Sequence, residues 1–134
     1  MKPSRDEVEA LIRARAAVYQ LDADLLIRQC KAESEFDQDV RSTEGAIGLF
    51  QLMPATAAWL HVDAHDWRAN VEGGVTLMKI LLTQFGAYDR ALAAYDWGSG
   101  NMRELLRQHG TDWRAHLPAE TAGYLRKVLC SPTK

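Results

Sequence analysis

The chain has 134 residues, 47% of them apolar and 25% charged, with 16 Lys and Arg against 18 Asp and Glu for a net charge of −2. This length and balance fit one folded domain over residues 1–134 and exclude wholesale disorder. They argue against a clustered cationic face for duplex nucleic acid and against a polybasic membrane binder, and no apolar run reaches the roughly 20 residues that span a bilayer.

The opening Met1-Lys2-Pro3-Ser4-Arg5-Asp6-Glu7 enters a charged helical pattern at once and has no apolar signal-peptide region. The expectation is a protein made without such a signal, or a domain cut from a longer one. Ser4 and Glu7 form a capping-box pattern, and Val8, Leu11, Ile12 and Tyr19 mark one face of a first helix. Asp22 or Asp24 caps a second helix running to about Ser34. Pro54 suits the first turn of a short third helix. From Asp66 the longest helical pattern begins, with Val71, Val75, Met78, Leu82 and Phe85 inward and Gly86 as its stop. Asp89 is expected to cap a short helix to about Tyr95, followed by a turn over Trp97-Gly98-Ser99-Gly100 and a further helix capped by Asn101 and stopped by Gly110. Pro118 opens the last helix, with Tyr124, Leu125, Val128 and Leu129 inward. Alternating strand patterns are almost absent, so the predicted class is all-α, built from short helices. Cys30 and Cys130 are too few for a disulfide scaffold. One bridge between the second helix and the C-terminal tail is open to them; two buried free thiols are the plainer expectation.

In the second helix Leu26, Cys30 and Glu33 stand at i, i+4 and i+7 and share the apolar face. An acid there, near the helix C-terminus, loses solvation and meets the negative end of the dipole, and both effects favour its protonated form. That is what a general acid needs. The competing expectation is a boundary Glu turned to water or paired with an Arg.

Glu33-Ser34-Glu35-Phe36 is followed by Ser42 and then by Gly45-Ala46-Ile47-Gly48-Leu49-Phe50-Gln51-Leu52-Met53-Pro54-Ala55-Thr56-Ala57. Later come Ala93-Ala94-Tyr95-Asp96-Trp97-Gly98 and Leu117-Pro118-Ala119-Glu120-Thr121, with Tyr124 three residues on. In this order the blocks resemble the lytic transglycosylase family, similar to soluble lytic transglycosylases and goose-type lysozymes, from about Leu21 to Leu129. The resemblance implies a lysozyme-like, α-rich fold whose short helices form two lobes flanking a saccharide groove. It implies Glu33 as the single catalytic acid and base, Tyr95 as the tyrosine whose hydroxyl supports that carboxyl, and Ser42, Gln51 and Met53 as groove residues. Glu120 matches the acidic residue that the final helix contributes to the cleft. Each residue also has a plain structural use: a tight turn for Gly45 and Gly48, a satisfied amide for Gln51, packing for Phe50, Met53 and Tyr95, a dipole-friendly surface charge for Glu120.

The chain departs from the family where Asp96 and Trp97 replace the usual Asn and Ala after the tyrosine, and Phe50 replaces the usual Met before the groove glutamine. Asp96 loses an amide donor and is expected to place a second carboxylate near Glu33, where like charge would raise the acid's pKa further; it counts among the expected substrate-binding residues. The Ala-Tyr-Asp-Trp-Gly-Ser-Gly-Asn stretch is closer to phage-type members. His61, Asp63 and His65 have no zinc-type motif around them, Cys30 has no partner histidine to make it a nucleophile, and Arg103, Arg107, Arg126 and Lys127 read as solvated helix-face cations.

The implied activity is cleavage of the bond between N-acetylmuramic acid and N-acetylglucosamine, closing 1,6-anhydromuramic acid with one protein acid and no metal or organic cofactor. The implied partner is the peptidoglycan glycan strand, at the bacterial cell wall or periplasm, with the chain acting as a monomer. Two other readings stand beside it. One is a hydrolase of goose-lysozyme type, needing a second carboxylate from Glu44, Asp37 or Asp96; the other is a wall-binding module without catalysis.

Overall fold

The computed structural model describes residues 2–130. Among these the chain is all-α: seven α-helices and one 3-10 helix, with only the isolated antiparallel bridges of Arg41 with Ile47 and Ile47 with Leu52 outside them. It divides into two compact units, the first running to Leu77 and the second starting at Met78.

The first unit holds α1 (Arg5–Tyr19), α2 (Ala23–Ser34), α3 (Pro54–Trp59) and the first part of α4 (Trp67–Phe85). The Ser4 hydroxyl accepts from the Glu7 backbone N–H while the Glu7 carboxylate accepts from the Ser4 N–H, so the expected capping box is present. Val8, Ile12 and Ala16 form the buried stripe of α1; Leu11 and Tyr19 are only half-buried. Gln20 takes a left-handed conformation to end α1, and of the two candidate caps Asp22 is the one that starts α2, accepting from Leu25 N–H. On α2, Leu25, Leu26, Ile27, Gln29 and Cys30 are buried. The Tyr19 hydroxyl meets the Thr76 hydroxyl at 3.2 Å and Arg15 pairs with Glu72 at 2.6 Å, fastening α1 to α4 through polar side-chain tips. Asp66 starts α4 by accepting from Asn70 N–H through its carbonyl and from Arg68 N–H through its carboxylate.

In the second unit α4 finishes at Phe85, with Gly86 as its stop, and α5 (Tyr88–Trp97) packs on α6 (Ser99–His109) and on α7 (Ala119–Cys130). Two expected caps are corrected here. Asp89 lies inside the first turn of α5, after Ala87 at the cap, and Asn101 lies inside α6, where its amide donates back to the Trp97 carbonyl. The expected four-residue turn contracts to one residue, Gly98, because Gly98 alone leaves the helical region between α5 and α6. A 3-10 helix, Gly110–His116, buries Trp113. Tyr124, Leu125 and Val128 are buried on α7 as its periodicity predicts, and Leu129 is half-buried.

Both thiols are free. Cys30 is buried, but Cys130 is exposed, which corrects the expectation of two buried thiols. No helix among the described residues is long and apolar enough to cross a membrane.

Candidate functional site

Glu33 sits in the last turn of α2, half-buried, and lines a depression of about 420 Å³ together with Ala32, Ser34, Glu35, Asp37 and Val40. The chain reverses sharply just after it, because Glu35 and Phe36 both take left-handed φ values of 51° and 62°. Two such residues in succession, neither of them glycine, are uncommon and cost of order 1 kcal/mol or more each, so the surrounding packing must hold them. Asp37 then folds back, donating its N–H to the Ser34 carbonyl. The Asp37 carboxylate accepts the Asp39 backbone N–H at 2.9 Å and pairs with Lys2 at 3.3 Å, and these contacts, the backbone hydrogen bond foremost, hold it below the usual carboxylate range. Glu33 therefore shares its depression with a carboxylate whose pKa is held below the usual range.

The segment after this turn is held by side chains that sequence periodicity did not single out. The Ser34 hydroxyl donates to the Leu49 carbonyl at 2.8 Å, and the Cys30 thiol approaches the same carbonyl at 3.6 Å. Gln38, buried, donates to the Ala64 carbonyl and accepts from Leu49 N–H. Asn70, fully buried on α4, accepts from Phe50 N–H and donates to the carbonyls of Ile47 and Ala64. Two amides thus satisfy backbone groups of a buried loop that has no sheet to do so. The signal was present in Asn70, a polar residue beside Val71 on an otherwise apolar stripe, but its partners lie 20 and 23 residues away.

Glycine makes this arrangement fit. Gly48 has φ 77°, and a Cβ there would lie 2.5 Å from Asn70 Nδ2 and 2.6 Å from Gln38 Oε1. Gly74 on α4 receives the ring of Phe50, leaving a Cβ only 2.5 Å from Phe50 Cβ. The close approach that Gly48 permits is therefore to the molecule's own amides.

Of the expected groove residues in this unit, Ser42 is half-buried and its hydroxyl accepts from Ala46 N–H at 2.8 Å. Gln51, at φ 51°, donates its amide to the carbonyls of Val40 and Gly48 at 3.1 and 2.9 Å. Both brace the same loop. Met53 is 41% exposed at the start of α3.

Tyr95, Asp96 and Glu120 belong to the second unit. Tyr95 is half-buried on α5 and Glu120 exposed in the first turn of α7. Asp96 is brought together with α7: its carboxylate accepts from the buried Thr121 hydroxyl and feels the charge of Glu120. Loss of solvent around that carboxylate raises its pKa, the Glu120 charge adds to the rise, and the Thr121 hydrogen bond opposes it.

His61, Asp63 and His65 are exposed, and among the described residues no group of three or more His, Cys, Asp or Glu is placed to hold a metal. Burial pushes the Cys30 thiol up to about 12, so it is no nucleophile near neutral pH.

Relatives place this architecture in a family. The chain is 36% identical over 119 residues to the transglycosylase of Enterobacteria phage PRD1, an alignment covering 88% of this chain and 40% of that one. In fold it is similar to an inactive mutant of the lytic transglycosylase Slt of Pseudomonas aeruginosa, with a TM-score of 0.76 and 26% identity over 90% of this chain and 22% of that one. The 70 kDa soluble lytic transglycosylase of Escherichia coli matches in fold with a TM-score of 0.77 at 24% identity, over the same shares of the two chains. The chain thus spans well under half the length of each of these relatives. The model of the transglycosylase SLT domain matches residues 10–117, from within α1 to the end of the 3-10 helix, and the chain belongs to that family.

Proposed function

We propose that this chain is a lytic transglycosylase that cleaves peptidoglycan between N-acetylmuramic acid and N-acetylglucosamine, with Glu33 as acid and then base. The observation that carries the proposal is the place of Glu33: half-buried, at the carbonyl end of α2, on the wall of a depression open to solvent. The open depression admits a sugar to it. Family membership supports the reaction class, and the Pseudomonas aeruginosa relative was solved as an inactive Glu→Gln mutant, which supports a glutamate as the essential group.

In the proposed sequence Glu33 donates its proton to the glycosidic oxygen as the bond to C1 breaks, and the muramyl acetamido carbonyl stabilises the positive charge at C1. The Glu33 carboxylate then removes the proton from the C6 hydroxyl of the same sugar. That oxygen closes onto C1, returning the proton to Glu33 and leaving a 1,6-anhydro end without water. Ser42, Gln51 and Met53 are assigned to sugar binding; the Gln51 amide hydrogens hold the loop, so its carboxamide oxygen is the part that would accept from a sugar. Tyr95 and Glu120 keep the roles that the family motifs give them, and Asp96, which stands where the family usually has Asn, is assigned to substrate binding. The chemistry asks for no metal or organic cofactor, the glycan strand is the partner, the cell wall is the site of action, and a monomer suffices.

One observation favours the hydrolytic alternative: Asp37 lines the same depression as Glu33, so a second carboxylate faces the space where water would enter. Glu33→Gln tests the acid common to both reactions. The variant is expected to lose at least about a thousandfold in turbidity clearance of sacculi with an unchanged Tm; turnover near the native rate would assign the acid elsewhere.

A further inference from the structure

The helix that carries Glu33 closes where Glu35, at φ 51°, donates its N–H to the Lys31 carbonyl, and Phe36 continues in the same left-handed region at φ 62°. Residues other than glycine keep that region only where their surroundings pin them. The far side of the reversal is pinned from within the loop. Gln38 is tied to Ala64 and Leu49, and the Val40 carbonyl accepts from the Gly48 N–H and the Gln51 amide. The near side is met by two cations, one just before α1 and one at its first residue. Lys2 bridges the carboxylates of Asp37 and Asp39 at 3.3 and 3.2 Å, and the Arg5 guanidinium lies over the half-buried Phe36 ring, 4.4 Å from its centroid. Arg5 is itself aimed, since its Nε donates to Glu9 one turn on at 2.6 Å. The charges of Arg5 and Glu33 are both felt at the Cys30 thiol, which puts the first turn of α1 beside the last turns of α2.

We propose that Lys2 and Arg5 are positioning residues for Glu33: gripping Phe36, Asp37 and Asp39 from the α1 side, they hold the reversal that ends α2 and so fix where the acid stands. The inference rests on Glu33 as the acid and extends that reading to side chains that need not touch a sugar. Each grip is weak alone, because Lys2, Arg5, Asp37 and Asp39 all stand substantially in solvent. The strain of two left-handed residues in succession is of the same order. The balance between a held and a released reversal is therefore close, and removal of the two cations tips it. On release Glu35 and Phe36 return to ordinary φ, the Glu35–Lys31 bond that closes α2 opens, and Glu33 moves with the unwinding turn.

The test measures kcat and KM on solubilised glycan strands, and amide hydrogen exchange by NMR, for the native protein and for Lys2→Gln combined with Arg5→Gln. The double variant is expected to lose about fivefold in kcat with KM within about twofold of native. Its Glu35 amide is expected to exchange about fivefold faster, while the amides of Val71 and Val75 on α4 keep native protection. Lys2→Arg combined with Arg5→Lys, which keeps both charges, is expected to recover a large part of both losses. A higher KM at native kcat would make the two cations substrate contacts and overturn the inference. Exchange accelerated equally at Glu35, Val71 and Val75 would reduce their role to general stability and overturn it too. Cleavage by the native protein with no change of kcat or Glu35 exchange in the double variant would overturn this inference alone. A native protein that leaves the strands uncut would remove the catalytic reading and this inference with it.

Discussion

The Ser34 hydroxyl donates to the Leu49 carbonyl at 2.8 Å, joining the residue next to Glu33 on α2 to the middle of the Gly45–Leu52 loop. The bond ties the candidate acid to the loop that carries the sugar-binding candidates, so a shift of one displaces the other. Ser34→Ala leaves the buried Leu49 carbonyl with only the weak Cys30 thiol contact, at 3.6 Å. The expected cost is about 1–3 kcal/mol of stability, read from a denaturant midpoint. A fall in kcat beyond the unfolded fraction is expected as the acid loses its alignment; native kcat in Ser34→Ala would show that the tie has no catalytic consequence.

Gly74→Ala places a methyl group against the Phe50 ring. Alanine gains about 1 kcal/mol of helix propensity over glycine, but overpacking a closed site costs about 1–3 kcal/mol, and at 2.5 Å from Phe50 Cβ the clash decides the sign. The variant is expected to melt below the native protein. Adding Phe50→Met, a flexible side chain of similar volume, is expected to recover much of the loss, and a double variant no better than Gly74→Ala would place the strain elsewhere.

Gln29 is fully buried on α2, and neither atom of its amide meets a hydrogen-bond partner among the described residues. An unsatisfied buried polar group costs about 1–3 kcal/mol. Gln29→Met keeps the volume and removes the polar atoms, and a gain of about 1 kcal/mol in unfolding free energy is expected. A loss would mean that the amide is satisfied in solution.

The raised pKa of Asp96 has a consequence for stability with a definite sign. A carboxyl whose folded pKa lies above its unfolded one leaves stability intact below the ordinary value of 3.8 and lowers it as pH climbs through the folded value. Asp96→Asn removes the charge and restores the residue that the family usually carries. It is therefore expected to raise Tm at pH 7 and to do so much less at pH 3.5. Asp37 runs the other way: its depressed pKa contributes stability above the ordinary range that is lost on acidification. Thermal melts across that pH range check both signs.

The parts of the fold legible in the sequence were those set by near neighbours. The Ser4–Glu7 box, the Asp22 cap, Pro54 at the start of α3 and the ends of α4 and α6 at Gly86 and Gly110 each depend on residues within one or two turns. Asp89 and Asn101 misled because both are good caps in isolation, whereas the break between α5 and α6 is made by the backbone of Gly98 alone. The half-buried place of Glu33 on α2 was legible from its spacing to Leu26 and Cys30. Gln38, Asn70 and Ser34 were not, because a buried amide or hydroxyl carries meaning only through partners brought from elsewhere in the chain. The family motif assigns Gln51 and Ser42 to sugars, and the structure shows both as braces of their own loop.

The fragments released from purified sacculi decide the central claim, because the two reactions leave products of different mass. Transglycosylation at Glu33 predicts muropeptides ending in 1,6-anhydromuramic acid, one water lighter than reducing ends, as the main products by mass spectrometry. Fragments carrying only reducing ends, or sacculi that the protein binds and leaves whole, would contradict it.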